Sequence, residues 1–158
     1  MTIDDVDHKL LAALQEDAGQ SYAALGQIAG LSAGSAHERV RKLKAAGVIR
    51  RTTIDVDPAA LGRGVLAFVM LEANAWMGDE PTQQALRDIP AVEEAHIIAG
   101  PASVLVKVRT TTTEDLQATL RALHQLDGVT STQTIVVLES YFERDYPIGR
   151  PDTSVDGM

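Results

Sequence analysis

The apolar residues change period at Gly64, and that change divides the chain. Before Gly64 they recur at spacings of three and four, the mark of helices with one buried stripe. After it, runs with a period of two alternate with helical patterns. A chain of 158 residues has room for two small domains, and the period change marks where they meet.

The first segment reads as three short helices. Asp4 is a favourable N-cap, and Asp7 adds negative charge where the helix dipole is positive. Val6, Leu10 and Leu14 then share a face, with Leu11 beside them, and Gly19 ends the helix near residue 18. Ser21 opens a second helix through Ala29, with Leu25 and Ile28 as its buried pair. Gly30-Leu31-Ser32 is a tight turn, and Ser32 caps a third helix reaching about Ala46. Ala36, Val40 and Leu43 form its inner stripe, and Gly47 stops it. Two helices joined by a three-residue turn containing glycine form a helix-turn-helix pattern. Val48–Val56 is rich in Thr, Ile and Val and predicts a linker strand, followed by a helical turn from Asp57-Pro58 to Gly62.

Beyond Gly64 the expected order is strand Val65–Ala73, helix Asp79–Ile89, strand Val92–Ala99, strand Ser103–Thr110, a helix capped by Thr113, and strand Ser131–Phe142. That is βαββαβ, a ferredoxin-like arrangement. The fold class is α+β: a helix-turn-helix domain over 1–50, a linker over 51–63, a ferredoxin-like domain over 64–143, and a flexible tail over 144–158. Val65–Leu71 is apolar on both faces, whereas two helices cover only one side of a four-stranded sheet. A second copy of the chain is the economical cover for the other side.

The formal net charge of −8 argues at first against nucleic acid. Its distribution reverses that argument. Between residues 39 and 51 stand Arg39, Arg41, Lys42, Lys44, Arg50 and Arg51, with no acid among them. The remainder of the chain carries the acidity. On the outer and leading positions of the third helix, Ala33 and Gly34 are small enough for close approach to DNA. Ser35, His37 and Glu38 have groups that bond to base edges, and Arg39, Arg41, Lys42 and Arg50 suit phosphates or guanine. Ser32 and the free N–H groups behind it suit a phosphate as well.

Other chemistry is poorly represented. The chain contains no cysteine, which removes disulfides, thiolate metal sites and cysteine nucleophiles. His8, His37, His96 and His124 form no i,i+4 pair, so no metal is expected. Glu93-Glu94 on a strand should face opposite ways, and Glu114-Asp115 suits a helix N-terminus; neither reads as a catalytic pair. The longest apolar run, Val65–Leu71, has seven residues, against roughly 20 for a membrane span. The acidic start lacks the pattern of a signal peptide. The expectation is a cytoplasmic, nucleoid-associated protein that is not an enzyme and has no cofactor.

Ile3-Asp4-x-x-Asp7-x-x-Leu10-Leu11, Leu25, Leu31-Ser32-x-x-x-Ala36-x-x-Arg39-Val40-x-x-Leu43 and Gly47-Val48-Ile49 together resemble the Lrp/AsnC transcription regulators. Leu61-Gly62, Gly100 before a Val/Leu strand, and Asp127-Gly128-Val129 leading into Thr132-Gln133-Thr134-Ile135-Val136-Val137 extend the resemblance to about residues 3–142. It implies that the helix-turn-helix is of the winged type, that residues 64–143 form an effector and oligomerisation domain, and that the chain is a homodimer built through the sheet, often assembled into tetramers of dimers, on double-stranded DNA. It also implies an amino-acid effector bound between dimers. The effector residues it points to are Ile98, Gly100, Pro101, Ala102, Ser103, Thr132, Gln133 and Thr134. The family usually has acids just after this glycine; Pro101-Ala102-Ser103 has none. Gly26 stands where alanine is usual, at an expected local cost of about 1 kcal/mol. Two alternatives stand beside the regulator: a ligand-independent, chromatin-organising DNA-binding protein, and a metabolite-binding or enzymatic ferredoxin-like module.

Overall fold

The computed structural model describes residues 2–148. The chain forms two compact units, one of the residues up to Asp55 together with the segment from Arg144, the other Val56–Glu143.

The first unit holds α1 (Asp5–Glu16), α2 (Tyr22–Ala29) and α3 (Ala33–Ala45). Each begins at a side-chain cap: Asp4, Ser21 and Ser32 accept from the backbone N–H three residues on. Leu10, Leu25, Ala29, Ala36 and Val40 are buried against one another, with Val6, Leu14, Leu31 and Ile49 packed around them. Ile28 is not the expected partner of Leu25; it is 49% exposed, and Ala29 takes the buried position. Spacing alone does not decide between three and four residues on so short a helix.

A charge clamp ties α1 to α3. The Asp4 and Asp7 side chains each accept from the other's backbone N–H. Arg39 Nη1 then reaches both carboxylates, at 2.7 Å from Asp4 and 2.9 Å from Asp7. Asp7 is buried, so its charge requires these partners. The backbone N–H of Asp7, followed by the Arg39 guanidinium, holds the Asp4 carboxyl below its ordinary range. Gly26 has a positive role in the turn that follows. Its carbonyl accepts from Leu31 N at 2.7 Å, and a Cβ there would lie 2.6 Å from the Leu31 carbonyl oxygen.

No strand forms over Val48–Val56, and no wing hairpin is seen among the described residues of this unit. Apart from the half-buried Ile49 the segment is exposed, with Ile54 at 80%. Strand propensity has no effect without a neighbouring strand to bond. Of the expected tail, Gln15 on α1 donates to the Tyr146 carbonyl at 2.6 Å and accepts from Ile148 N at 3.2 Å. The rest of the expected tail lies outside the described residues.

In the second unit a single 3-10 turn, Ala59–Leu61, precedes β1 (Val65–Ala73), α4 (Glu80–Arg87), β2 (Val92–Ile97), β3 (Val104–Thr110), α5 (Thr113–His124) and β4 (Val129–Val136). The order across the antiparallel sheet is β2-β3-β1-β4. Ala67, Val69 and Leu71 of β1 and Val104, Val106 and Val108 of β3 form one core with Leu86 of α4 and Leu116 and Leu123 of α5. Complete burial of each large side chain contributes about 1.5–3 kcal/mol. Thr112, one residue before the expected Thr113, caps α5. The last strand ends at Val136, well before Phe142. Val137 N still bonds the Leu66 carbonyl, but β1 begins at Val65, so no partner backbone remains beyond it.

Two stability measurements test this account. The caps at Asp4 and the clamp stabilise the fold above the ordinary carboxylate pKa and lose that effect as pH falls through the depressed value. Asp4→Asn is therefore expected to lower the melting temperature at neutral pH, with the difference shrinking as pH falls below the ordinary carboxylate range. A gap that persists in acid contradicts the clamp. Replacing Gly26 with alanine is expected not to raise the melting temperature, because displacement of the turn offsets the helix gain of about 1 kcal/mol. A rise of several degrees contradicts the close approach.

Candidate nucleic-acid interface and effector region

The surface of α3 is built by its inner stripe. With Ala36, Val40 and Leu43 buried, helical geometry turns Ala33, Gly34, Ser35, His37, Arg41, Lys42 and Lys44 outward, and all are exposed. At the leading end, Ser32 accepts from Ser35 N at 3.2 Å, and the two hydroxyls lie 2.9 Å apart. Gly34 has open space on its Cα, so backbone and small side chains form a low rim. His37 stands just behind this rim. Its ring meets that of Tyr22 on α2, with centroids 4.7 Å apart and planes at 80°.

The basic residues divide into two groups. Arg39 is directed to Asp4 and Asp7 and anchors α3 from behind. Arg41 donates to both oxygens of Glu38, at 2.9 and 2.7 Å, and Lys42 Nζ is 4.0 Å from the same carboxylate. Arg41 holds the Glu38 carboxyl below its usual range, and Glu38 in turn raises the guanidinium. Glu38 is thus engaged with its own helix in the free protein. Arg50 is exposed beyond α3. The sequence reading missed Tyr22, because nothing in the linear chain shows which α2 residue meets His37. It had noted Asp4 and Asp7 only as cap and dipole partners, and Arg39 lies 35 and 32 positions away.

In the second unit the predicted effector residues gather at one end of the sheet without lining one surface. Ser103 N bonds the Leu71 carbonyl at 2.9 Å, and Ile98 N bonds the Ser103 carbonyl at 3.1 Å. Leu71 of β1 pairs with Thr132 on its other side, and Val69 with Thr134. Ser103 and Thr132 therefore flank β1, about two strand spacings or 10 Å apart. Gln133 pairs with Met70 and faces away from its two neighbours. Gly100 and Pro101 are exposed, and Ala102 is half-buried. Two clefts in this unit lie elsewhere. One of about 330 Å³ runs between α4 and β2 along Gln83, Leu86, Arg87 and Ile97. The other, about 300 Å³, is bordered by Arg63, Pro90 and Asp115.

The sheet face away from the helices presents Leu66, Phe68 and Met70 of β1, Leu105 of β3 and Ile135 of β4. Beside them runs an ionic strip. Arg109 pairs with Glu93 at 2.8 Å and Glu143 at 3.3 Å. Lys107 lies within 3.3–3.6 Å of Glu93, Glu94 and Glu143. Glu93 and Glu94 do not face opposite ways as expected. The register shifts between Val92 and Glu94, and such a bulge brings two consecutive residues to one side. His96 sits 3.3 Å from Glu94 and, with Lys107, lowers its carboxyl. Burial pulls the Lys107 ammonium down, but the carboxylates of Glu143, Glu94 and Glu93 outweigh it and raise it.

Among the described residues no cluster of three or more His, Cys, Asp or Glu side chains is placed to hold a metal. No helix among them is long and apolar enough to cross a membrane.

Known proteins carry both halves. Residues 3–44 match the AsnC-type helix-turn-helix domain, and residues 66–147 match the Lrp/AsnC ligand binding domain. The chain is 33% identical over 141 residues to the HTH-type transcriptional regulator FL11 of Pyrococcus horikoshii, covering 89% of this chain and 93% of that one. Among solved structures it is similar to AsnC of E. coli, with a TM-score of 0.84, 31% identity and 93% and 99% of the two chains covered. It is also similar to the feast or famine regulatory protein of M. tuberculosis complexed with L-methionine, with a TM-score of 0.83, 26% identity and coverage of 92% and 99%. The chain belongs to the Lrp/AsnC family of DNA-binding, helix-turn-helix transcriptional regulators and is not an enzyme.

Proposed function

We propose that the chain regulates genes of amino-acid or related metabolism as a homodimer that reads a two-fold DNA site through α3. The observation that carries this reading is the leading face of α3, small, polar and open from Ala33 to His37, with cations behind it. Ala33, Gly34, Ser35 and His37 approach base edges in the major groove, and Ser32, Arg41, Lys42 and Arg50 meet phosphates. Arg39 acts as the anchor. Glu38 restrains Arg41 until DNA competes for it.

Dimerisation through the open sheet face is supported by its apolar residues, with Phe68, Met70 and Leu105 half-buried and Ile135 51% exposed. A second copy is self-complementary to such a face. The effector reading is supported by the L-methionine in the M. tuberculosis relative. Here an amino acid would lie at a subunit boundary near Gly100–Ser103 and Thr132–Thr134. Ser103 offers a hydrogen bond to the ligand ammonium where the family pattern offers a counter-charge. The missing carboxylate in Pro101-Ala102-Ser103 also favours a second reading, in which the protein organises DNA without a small ligand. The protein would act in the cytoplasm, on the nucleoid.

Two copies presenting Arg41, Lys42 and Arg50 displace about six counterions, so a plot of log affinity against log salt should slope by about −5. A flat plot, with no preferred sequence, rejects DNA reading by α3. Arg41→Ala should weaken all sequences about equally, whereas Ser35→Ala or His37→Ala should change which sequence is preferred. Normal binding by all three variants excludes α3 as the reader. For the effector, a thermal-shift panel of the amino acids should reveal a stabilising ligand. No shift with any of them, and none gained on Ser103→Asp, favours the ligand-independent reading.

A further inference from the structure

The ring of Tyr22 on α2 meets the ring of His37 on α3. Tyr22 is the first residue of α2, directly after the Ser21 cap. Its backbone is held by that cap, where Ser21 Oγ accepts from Ala24 N, and α2 is seated against α3 by Leu25 and the close turn at Gly26. The Tyr22 ring is therefore carried on a fixed frame. His37 stands on the exposed side of α3, one residue beyond the buried Ala36. An exposed histidine on a helix is free to exchange rotamers. Here the edge-to-face contact at 4.7 Å and 80° constrains the imidazole against the tyrosine ring. The other polar side chains near the leading end behave differently: Ser35 is bonded to Ser32, and Glu38 to Arg41. His37 is the one held by an aromatic contact that leaves its ring nitrogens unspent, since no hydrogen bond to them is present among the described residues.

We infer that Tyr22 is a positioning residue for base recognition: its ring holds the His37 imidazole in the orientation that meets a base edge. This rests on the proposal that α3 reads DNA. A reader ordered before binding loses less conformational freedom on the DNA, and its advantage is confined to the base it meets. The signature of Tyr22 is thus a sequence preference, not a general affinity. A tyrosine that merely staples α2 to α3 would have the opposite signature, with lower stability and equal loss on every sequence.

The test begins with selection of preferred sites from a random duplex library by the full-length wild-type protein. Affinities are then measured on that site and on every single-base variant of it. His37→Ala should flatten discrimination at one position in each half-site. Tyr22→Ala and Tyr22→Leu should reduce discrimination at that same position by roughly three- to tenfold, with other positions unchanged. Tyr22→Phe, which keeps the ring, should retain the wild-type preference. Tyr22→Ala combined with His37→Ala should be no worse at that position than His37→Ala alone. Melting temperatures of all variants are measured alongside, and Tyr22→Leu preserves apolar bulk where the alanine variant fails to fold. A clear wild-type site with unchanged discrimination in the Tyr22 variants overturns this inference alone. Equal weakening on all sequences does the same. Absence of any preferred wild-type site overturns the reading by α3 itself, and this inference with it.

Discussion

The arrangement of the first unit depends on one buried carboxylate. Asp7 lies within the three-helix core, and a charge there is tolerated only when paired and hydrogen-bonded. Arg39 supplies the pair, and Asp4 completes the set through its own carboxylate and backbone N–H. Because Arg39 projects from α3 and the two acids start α1, satisfying one charge fixes α3 against α1. Every outward residue of α3 inherits its position from that constraint. The same constraint removes Arg39 from the surface cations available to a phosphate.

The remaining charges of α3 are graded by what holds them. Glu38 is engaged by Arg41 and flanked by Lys42, a local i,i+3 and i,i+4 arrangement that is screened by solvent and readily exchanged. DNA phosphates compete with such a pair at little cost, whereas they compete poorly with the buried Asp7. Burial thus separates the cation that shapes the domain from those left on its surface. In the second unit a β-bulge performs a similar sorting. By bringing Glu93 and Glu94 to one face, it neutralises Lys107 and Arg109 beside an apolar surface. That surface would otherwise carry two half-buried, uncompensated cations.

Much of this was visible before any coordinates. The caps at Asp4 and Ser32, the opening of α2 at Ser21, the stripe Ala36-Val40-Leu43 and the alternation of Val104, Val106 and Val108 all appear where local pattern places them. The departures share a cause. Val48–Val56 has strand composition but no strand to bond, and Val137–Phe142 outruns the length of β1. The candidate effector residues Thr132 and Gln133 are adjacent in sequence but not in facing, since they point to opposite sides of the sheet.

The sequence by itself determined the five helices and the four strands of the sheet to within a few residues at their ends, and that the cations gather on one short stretch. Those properties follow from neighbours within about a turn of helix or a pair of strand residues, so they can be read along the line. Only the tertiary structure decided which partner each polar side chain found. It directed Arg39 to Asp7, Tyr22 to His37, and Gly26 to the turn that closes on it. These pairings join residues separated in sequence, and their energies depend on burial and distance, which exist only once the backbone has closed.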